Sequence, residues 1–415
     1  MATTTQTADW IPDHVPSEIA WDGHYHDWAA DSDDPFRKAG ELHDGPDILW
    51  VRNTGMGIGG MGGVGWIVTR QALMREILSS PDDFLSGESR MMSTIGLDWK
   101  LIPLEYNPPE HQMYRKVLEP FFSPAAINAL EDAVRHACDE LVANFASRDG
   151  CEFVSEFAEK FPSHIFLDLM GMPRERLGDF LAWERGMLRP QQPQDGVDAM
   201  LAIHDYLNEF LDEQREKQTS PLMKGIFNTL YNEERPLTHT EILSTAYLLY
   251  IGGLDTVFST IGWIFWHLAQ HAELQDRLRD NPEEIPRAVE ELLRAFGAAS
   301  TGRTVARDLT FHGVEMRKGE SVNCSLPLAS RDPEAYDDPH TVDIDRDTMR
   351  HIAFGTGTHT CLGLRLARRE LKIVLESLLP RFKNIRIPEG ETYRFHTGSV
   401  FGVDYLPLEW ERVGD

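Results

Sequence analysis

Ten residues late in the chain carry the most chemistry: Phe354-Gly355-Thr356-Gly357-Thr358-His359-Thr360-Cys361-Leu362-Gly363. They form a glycine-punctuated segment that ends in a cysteine, and an amphipathic helical pattern follows at once over residues 362–379. A cysteine at a helix N-terminus has its thiolate favoured by the positive end of the helix dipole. The backbone N–H groups of Leu362, Gly363 and the next residue can point at the sulfur. Glycines at 355, 357 and 363 let backbone come close to a flat ligand and take conformations that a Cβ forbids. Three readings of Cys361 stand here: a metal-ligating thiolate, a catalytic nucleophile, or a buried structural thiol, the usual fate of a lone cysteine. The last two account for the cysteine but not for the loop around it.

Other groups have informative spacing. Asp255-Thr256 follows Gly252-Gly253 inside an apolar run over residues 246–269. Each mid-helix glycine costs about 1 kcal/mol relative to alanine, which implies space for something flat and close. A threonine inside a helix ordinarily bonds back to a carbonyl, and that reading stays open for Thr256. Glu291 and Arg294 lie three apart and share a helix face; an exposed ion pair there would be worth little. His111 and Arg115 lie four apart just after Pro108-Pro109, as suits the first turn of a helix.

The elements that must position these groups are mostly helical. Helix-period patterns cover residues 128–146, 197–214, 240–271, 285–296 and 362–379. The central one opens with a capping box, Thr238 to Glu241, and thirty-odd residues at ~1.5 Å each would run roughly 45 Å. Strand-like runs fall at 48–52 and 65–69, and again at 309–312, 314–316 and within 395–408. Residues 329–350 show no period. Gly55, Gly57 and Gly60 match a dinucleotide fingerprint, but that fingerprint needs a helix at its last glycine, and here a strand follows. The organisation expected is a flexible tail over residues 1–20 and one domain over 21–415, mainly α with a small β part.

Net charge is −27, with 67 acidic and 40 basic residues, which argues against nucleic acid or an anionic membrane as partner. The apolar run over 246–269 has the length of a membrane span. Asp255 near its centre would cost roughly 2.5–3.5 kcal/mol facing lipid, so a buried core helix is expected. Four cysteines, at 138, 151, 324 and 361, form no CxxC pair, and the polar start shows no signal peptide. A cytoplasmic protein is the expectation.

The loop ending at Cys361 resembles the haem-binding signature of the cytochrome P450 family, Phe-x-x-Gly-x-x-x-Cys-x-Gly, at Phe354, Gly357, Cys361 and Gly363. The resemblance implies haem b lying between the central helix and the helix after Cys361. Cys361 is then the axial ligand, whose thiolate favours O–O cleavage, and Phe354 shields the sulfur. It also implies a buried Glu291–Arg294 pair, joined by Arg346, that fixes the cysteine loop. His111, Arg115, Arg303 and His359 resemble partners of the haem propionates, two carboxylates that would otherwise be buried unpaired. Gly-Gly-Leu-Asp-Thr resembles the family's oxygen-activation motif. Splitting dioxygen consumes two protons in a dry pocket, so Thr256 would hold a water while Asp255 relays protons from solvent.

Within the family the chain is most similar to the soluble camphor hydroxylase group, at residues 156–162, 252–257 and 311–314. That group implies electrons from a [2Fe–2S] ferredoxin and an NAD(P)H-linked reductase. Arg115, Lys116, Arg365, Arg368 and Arg369 would form a basic docking patch, with a solvated helix face as the competing explanation for the last three. The substrate pocket would include Trp99, Gly252, Val257, Ala298, Ala299, Ser399 and Val400. Trp99 stands where the camphor enzyme has a hydrogen-bonding tyrosine, and the two alanines replace larger aliphatics, so the pocket is reshaped. The expected activity is insertion of one oxygen atom from O2 into a terpenoid, norisoprenoid or small aromatic. A peroxide-driven peroxygenase and a non-enzymatic haem-based sensor remain as alternatives.

Overall fold

Thr238 and Glu241 start the element around which the chain is arranged. In the computed structural model, which describes residues 9–55, 63–87, 91–347 and 350–414, Thr238 Oγ1 accepts from the Glu241 N–H at 3.2 Å and Glu241 Oε2 accepts from the Thr238 N–H at 2.7 Å. The closed capping box leads into a 30-residue helix, His239–Leu268. It is the one helix among the described residues with the length and apolarity to cross a membrane. Instead it joins two apolar cores: Ile242 to Leu254 pack into one cluster and Ile261 to Leu268 into the other. Helices Lys160–Met170 and Pro193–Lys217 flank it.

The late group of expected strands, 309–316 and within 395–408, forms separate small sheets, whereas the early group, 48–52 and 65–69, joins four strands that the sequence did not mark in one six-stranded sheet. Its spatial order is Ala20–His24, Ile48–Asn53, Gly65–Val68, Ser321–Ser325, Ser300–Val305 and Phe84–Leu85. The join is the parallel pairing of Gly65–Val68 with Ser321–Ser325. Leu309–Phe311 and Val314–Met316 form an antiparallel hairpin. His312 and Gly313 both have positive φ (47° and 84°), the geometry of the tight turn that suits strand twist. Smaller sheets hold the C-terminal strands, among them Arg394–His396 with Gly402–Tyr405.

Two expectations need correction or restriction. Residues 10–20 are not a free tail: Val15 is buried in the core, Trp10 O accepts from Trp50 Nε1 at 3.2 Å, and Ala20 pairs with Trp50 in the sheet. Trp10, Ile11 and Ile19 supply apolar surface that the polar, Thr-rich start obscures. The glycine fingerprint lies mostly outside the described residues, at 56–60. Strand Gly65–Val68 follows it, and helix Gln71–Ser79 begins only afterwards.

His267, at the end of the central helix, stacks on His271 with ring centres 3.9 Å apart. Burial, then His271, lowers its pKa from 6.5 to about 3. Between those values the unfolded chain binds a proton that the folded chain does not, so stability falls as pH drops below 6.5. Thermal unfolding followed from neutral pH downwards should show a shallower acid loss in His267→Phe than in the parent.

Candidate functional site

The cysteine loop is built by close backbone contacts. Cys361 N–H donates to Phe354 O at 2.9 Å and Gly355 N–H to Ile352 O at 2.8 Å, which closes the loop on itself. Gly357 has φ 71°, and a Cβ there would lie 2.4 Å from Leu78 O, so this position admits only glycine. Gly363 differs from expectation: its φ is −79°, which any residue adopts, and an added Cβ would stand 3.9 Å from Cys361 Sγ. Its glycine therefore gives clearance beside the sulfur and serves no backbone need. The helix runs Leu364–Leu378, and the N–H groups on the sulfur are those of Gly363 and Leu364, not Leu362. Cys361 is accessible on one side but otherwise enclosed by protein. That enclosure pushes its thiol pKa up, and the Gly363 N–H, then Arg115 and Arg368, oppose the shift. The Phe354 ring packs under the Arg368 guanidinium at 4.7 Å.

Behind the loop, Glu291 and Arg294 meet fully buried. Arg294 Nη2 is 2.6 Å from Glu291 Oε1 and Nε is 3.0 Å from Oε2. The other N–H groups of Arg294 donate to the carbonyls of Ser330, Pro339 and Thr341 at 2.7–3.0 Å. Arg346 Nε lies 3.3 Å from Glu291 Oε1 and donates at its other end to the Asp337 and Asp338 carbonyls. Arg294 thus divides its donors between the Glu291 carboxylate and three carbonyls of the aperiodic segment 329–350, which is what holds that segment in place.

His111, Arg115, Arg303 and His359 converge from separate elements. The His111 and His359 rings are 4.2 Å apart. Among the described residues, His111 Nδ1 and His359 Nε2 are buried without a hydrogen-bond partner. Burial first, and then neighbouring arginines, lower the pKa of His111 to about 4 and of His359 to about 3. Arg303 is buried and spends its Nη1 on Thr301 Oγ1 and Gly302 O. Arg115 donates to Thr360 O at 2.7 Å and meets Glu119 at 3.2 Å on its outer side. Donors crowded together, with buried nitrogens unpaired, need an acidic ligand. Two carboxylates of a flat cofactor would fit that donor set.

On the opposite side, the central helix opens in its middle. Between Leu248 and Val257 the helix is open: Gly252 is exposed, Leu248, Leu249, Ile251, Gly253, Thr256 and Val257 are only partly buried, and most of the remaining residues are buried. The two glycines have different reasons. A Cβ on Gly252 would meet nothing within 4 Å, whereas one on Gly253 would strike the Phe166 ring at 2.3 Å. Thr245 and Thr260 bond back to the carbonyls of Glu241 and Thr256 at 2.8 and 2.9 Å. Thr256 Oγ1 makes no such bond among the described residues and stays available on the open stretch. Asp255 beside it is buried, with Oδ1 3.3 Å from Arg189 Nη2.

The residues expected around a substrate come from three places. Ala298–Ser300 and Ser399–Phe401 run side by side: Phe401 N–H donates to Ala298 O, Ser300 N–H to Ser399 O, and Ala299 bridges Val400. Val257 and Ala299 pack against the same core. Trp99 stacks on His204 at 6.5 Å and meets Tyr247 edge-on at 6.0 Å. Its loop is pinned by Glu105, whose carboxylate accepts from the N–H groups of Met91 and Leu101, and by Ser244, which accepts from Ile102 N–H; Arg90 lies outside the described residues.

Sequence reasoning missed Glu105, Arg189 and Glu184, none of which sits in a recognisable spacing. Arg368 pairs with Glu290, Arg369 with Glu131 and Arg115 with Glu119, which leaves Arg365 and Lys116 as the less committed charges.

A family model described as Cytochrome P450 matches residues 66–409. The chain is 32% identical to "Probable cytochrome P450 127A1" of Sinorhizobium fredii, over 96% of this chain and 97% of that protein. Its fold resembles the crystal structure of cytochrome P450 CYP101C1, at 29% identity and a TM-score of 0.86, covering 97% of this chain and 100% of that one. It also resembles a mutant of P450 EryK in complex with erythromycin B, at 25% identity and a TM-score of 0.81, covering 93% and 99%.

Proposed function

Since the chain belongs to the cytochrome P450 family, whose members are haem b monooxygenases, we propose that Cys361 ligates the iron and that Asp255 and Thr256 supply the protons that dioxygen cleavage consumes. When bound, thiolate-ligated haem supplies the activation of dioxygen. The observation that carries the proton assignment is the hydroxyl of Thr256, free of helix back-bonding on the open stretch while its neighbours Thr245 and Thr260 are not. Asp255 is anchored by Arg189 one residue away, buried but one ion pair from the surface. His111, Arg115, Arg303 and His359 would hold the propionates, and the Glu291–Arg294–Arg346 cluster would keep the cysteine loop in register. A peroxide-driven enzyme would not need Asp255 and Thr256, since peroxide already carries the protons and electrons. Turnover with peroxide but not with reductase, ferredoxin and O2 would overturn this reading.

The substrate we favour is a compact hydrophobic molecule: a terpenoid, norisoprenoid or small aromatic. The Trp99 indole, held by His204 and Tyr247, supports it. The likeness to a P450 EryK mutant in complex with erythromycin B supplies the larger competitor. Titration of the ferric protein with both classes discriminates. A Soret shift to shorter wavelength with the small compounds alone is expected, and a shift with macrolides alone would contradict it. Electrons would come from a [2Fe–2S] ferredoxin with its NAD(P)H-linked reductase, docking over Arg365 and Lys116 in the cytoplasm. Arg365→Glu should slow reduction by that ferredoxin several-fold at low salt, and less at high salt. Equal slowing at both would count against this face.

A further inference from the structure

Arg189 is surrounded by more acid than one guanidinium neutralises. Its Nη2 lies 3.3 Å from Asp255 Oδ1 and 3.5 Å from Glu184 Oε2, while Nη1 lies 3.3 Å from Asp404 Oδ1 and 2.9 Å from His396 Nε2. Arg185, the next cation, is committed to Glu159 at 2.8 Å. Asp404 has a partner of its own in His396 Nδ1 at 2.8 Å; against its burial, this bond holds its carboxyl pKa below the usual range. Glu184 has no such support. It is 1% exposed, and among the described residues its single ion-pair contact is the long one to Arg189 and Oε1 has no hydrogen-bond partner. Tyr250, on the central helix, is the remaining titratable neighbour, and its hydroxyl donates to Phe180 O. Burial, and then the Asp255 charge, push the Glu184 carboxyl pKa well up, with Arg189 and Arg185 opposing.

We propose that Glu184 is a second carboxyl of the proton path, storing a proton beside Asp255 and passing it to the Asp255 carboxylate, which hands it on toward Thr256. The inference rests on the assignment of Asp255 and Thr256 above. In the transfer an O–H bond breaks on Glu184 and one forms on Asp255, which leaves Glu184 as the carboxylate. Arg189 stays charged throughout and keeps both groups on one nitrogen. A cavity of about 840 Å³ lined by Glu159, Arg185, Arg189, His396 and Asp404 stops at Arg189, so recharging of Glu184 from solvent would pass beside that guanidinium. Acting through Asp255, Glu184 is a positioning and supply residue. A merely structural Glu184 would be replaced well by glutamine, which keeps its shape and an acceptor for Arg189.

The test begins with infrared spectra of the holoprotein in H2O and D2O. The wild type is expected to show the carbonyl stretch of a buried protonated carboxyl that Glu184→Gln lacks and Glu184→Asp moves. Glu370, buried with its pKa also raised by burial, gives a reference band that stays. With the compound giving the largest spin-state shift, Glu184→Gln should bind with unchanged affinity but turn over about ten-fold more slowly. That is less than the ~10²-fold loss expected when a positioned acid is itself removed. The ratio of rates in H2O and D2O should rise, and Glu184→Asp should recover part of the loss. A Glu184→Gln protein with the wild-type infrared band, or with wild-type turnover and isotope ratio, overturns the inference. Asp255→Asn measured beside it separates the two claims: if it is slow and Glu184→Gln is not, only the role of Glu184 fails. If Asp255→Asn turns over normally, the assignment of Asp255 fails, and this inference with it.

Discussion

Arg294→Leu is expected to lose about 3–5 kcal/mol of stability, the usual consequence of leaving one member of a buried ion pair alone, and to be isolated largely free of haem. Glu291 would keep only Arg346 at 3.3 Å and the Asp343 N–H at 2.9 Å against a fully buried charge. The Ser330 carbonyl would lose its Arg294 donor, and those of Pro339 and Thr341 would keep only Arg331 and Arg346. The segment that leads into the cysteine loop would then be released, so the defect reaches Cys361 without touching it. Lysine restores the charge but not the planar fork, and Arg294→Lys should fall between. Urea unfolding gives the check: a lowered midpoint with unchanged slope supports the account. A midpoint at the wild-type value in Arg294→Leu would show that the buried cluster does not hold the fold.

Asp255→Asn should turn over about 10²-fold more slowly, with substrate affinity unchanged. Asparagine keeps the size and a carbonyl for Arg189 but has no acidic proton to relay. Thr256→Ala leaves that relay intact and removes the hydroxyl that would direct it. It should therefore consume NAD(P)H at a rate close to wild type while yielding much less product. Product and NAD(P)H measured together distinguish the two defects. If both variants form product at the wild-type rate, protons reach the site by another route.

What the sequence made legible was local. The capping box at Thr238, the three-residue spacing of Glu291 and Arg294, and the glycines of the cysteine loop each express one turn of helix or one tight bend. What it hid was long-range. Arg189 meets Asp255 and Asp404 across long stretches of chain, and Glu105 governs the Trp99 loop through backbone N–H groups that leave no side-chain pattern. Strand Ser300–Val305 was missed because Ser-Thr-Gly-Arg-Thr shows no apolar alternation; its pairing with Ser321–Ser325 makes the strand. The partners of the basic residues were hidden for a related reason: the carboxylates that pair with Arg368 and Arg369 come from other helices.

The central claim is that Cys361 presents its thiolate to the haem iron, and the absorption spectrum of the reduced carbon-monoxide complex tests it most directly. The account predicts the long-wavelength Soret band of thiolate ligation in the wild type, and its replacement by the shorter-wavelength band of imidazole ligation in Cys361→His. A wild-type complex absorbing at the imidazole position, or a band unmoved by Cys361→His, would contradict it.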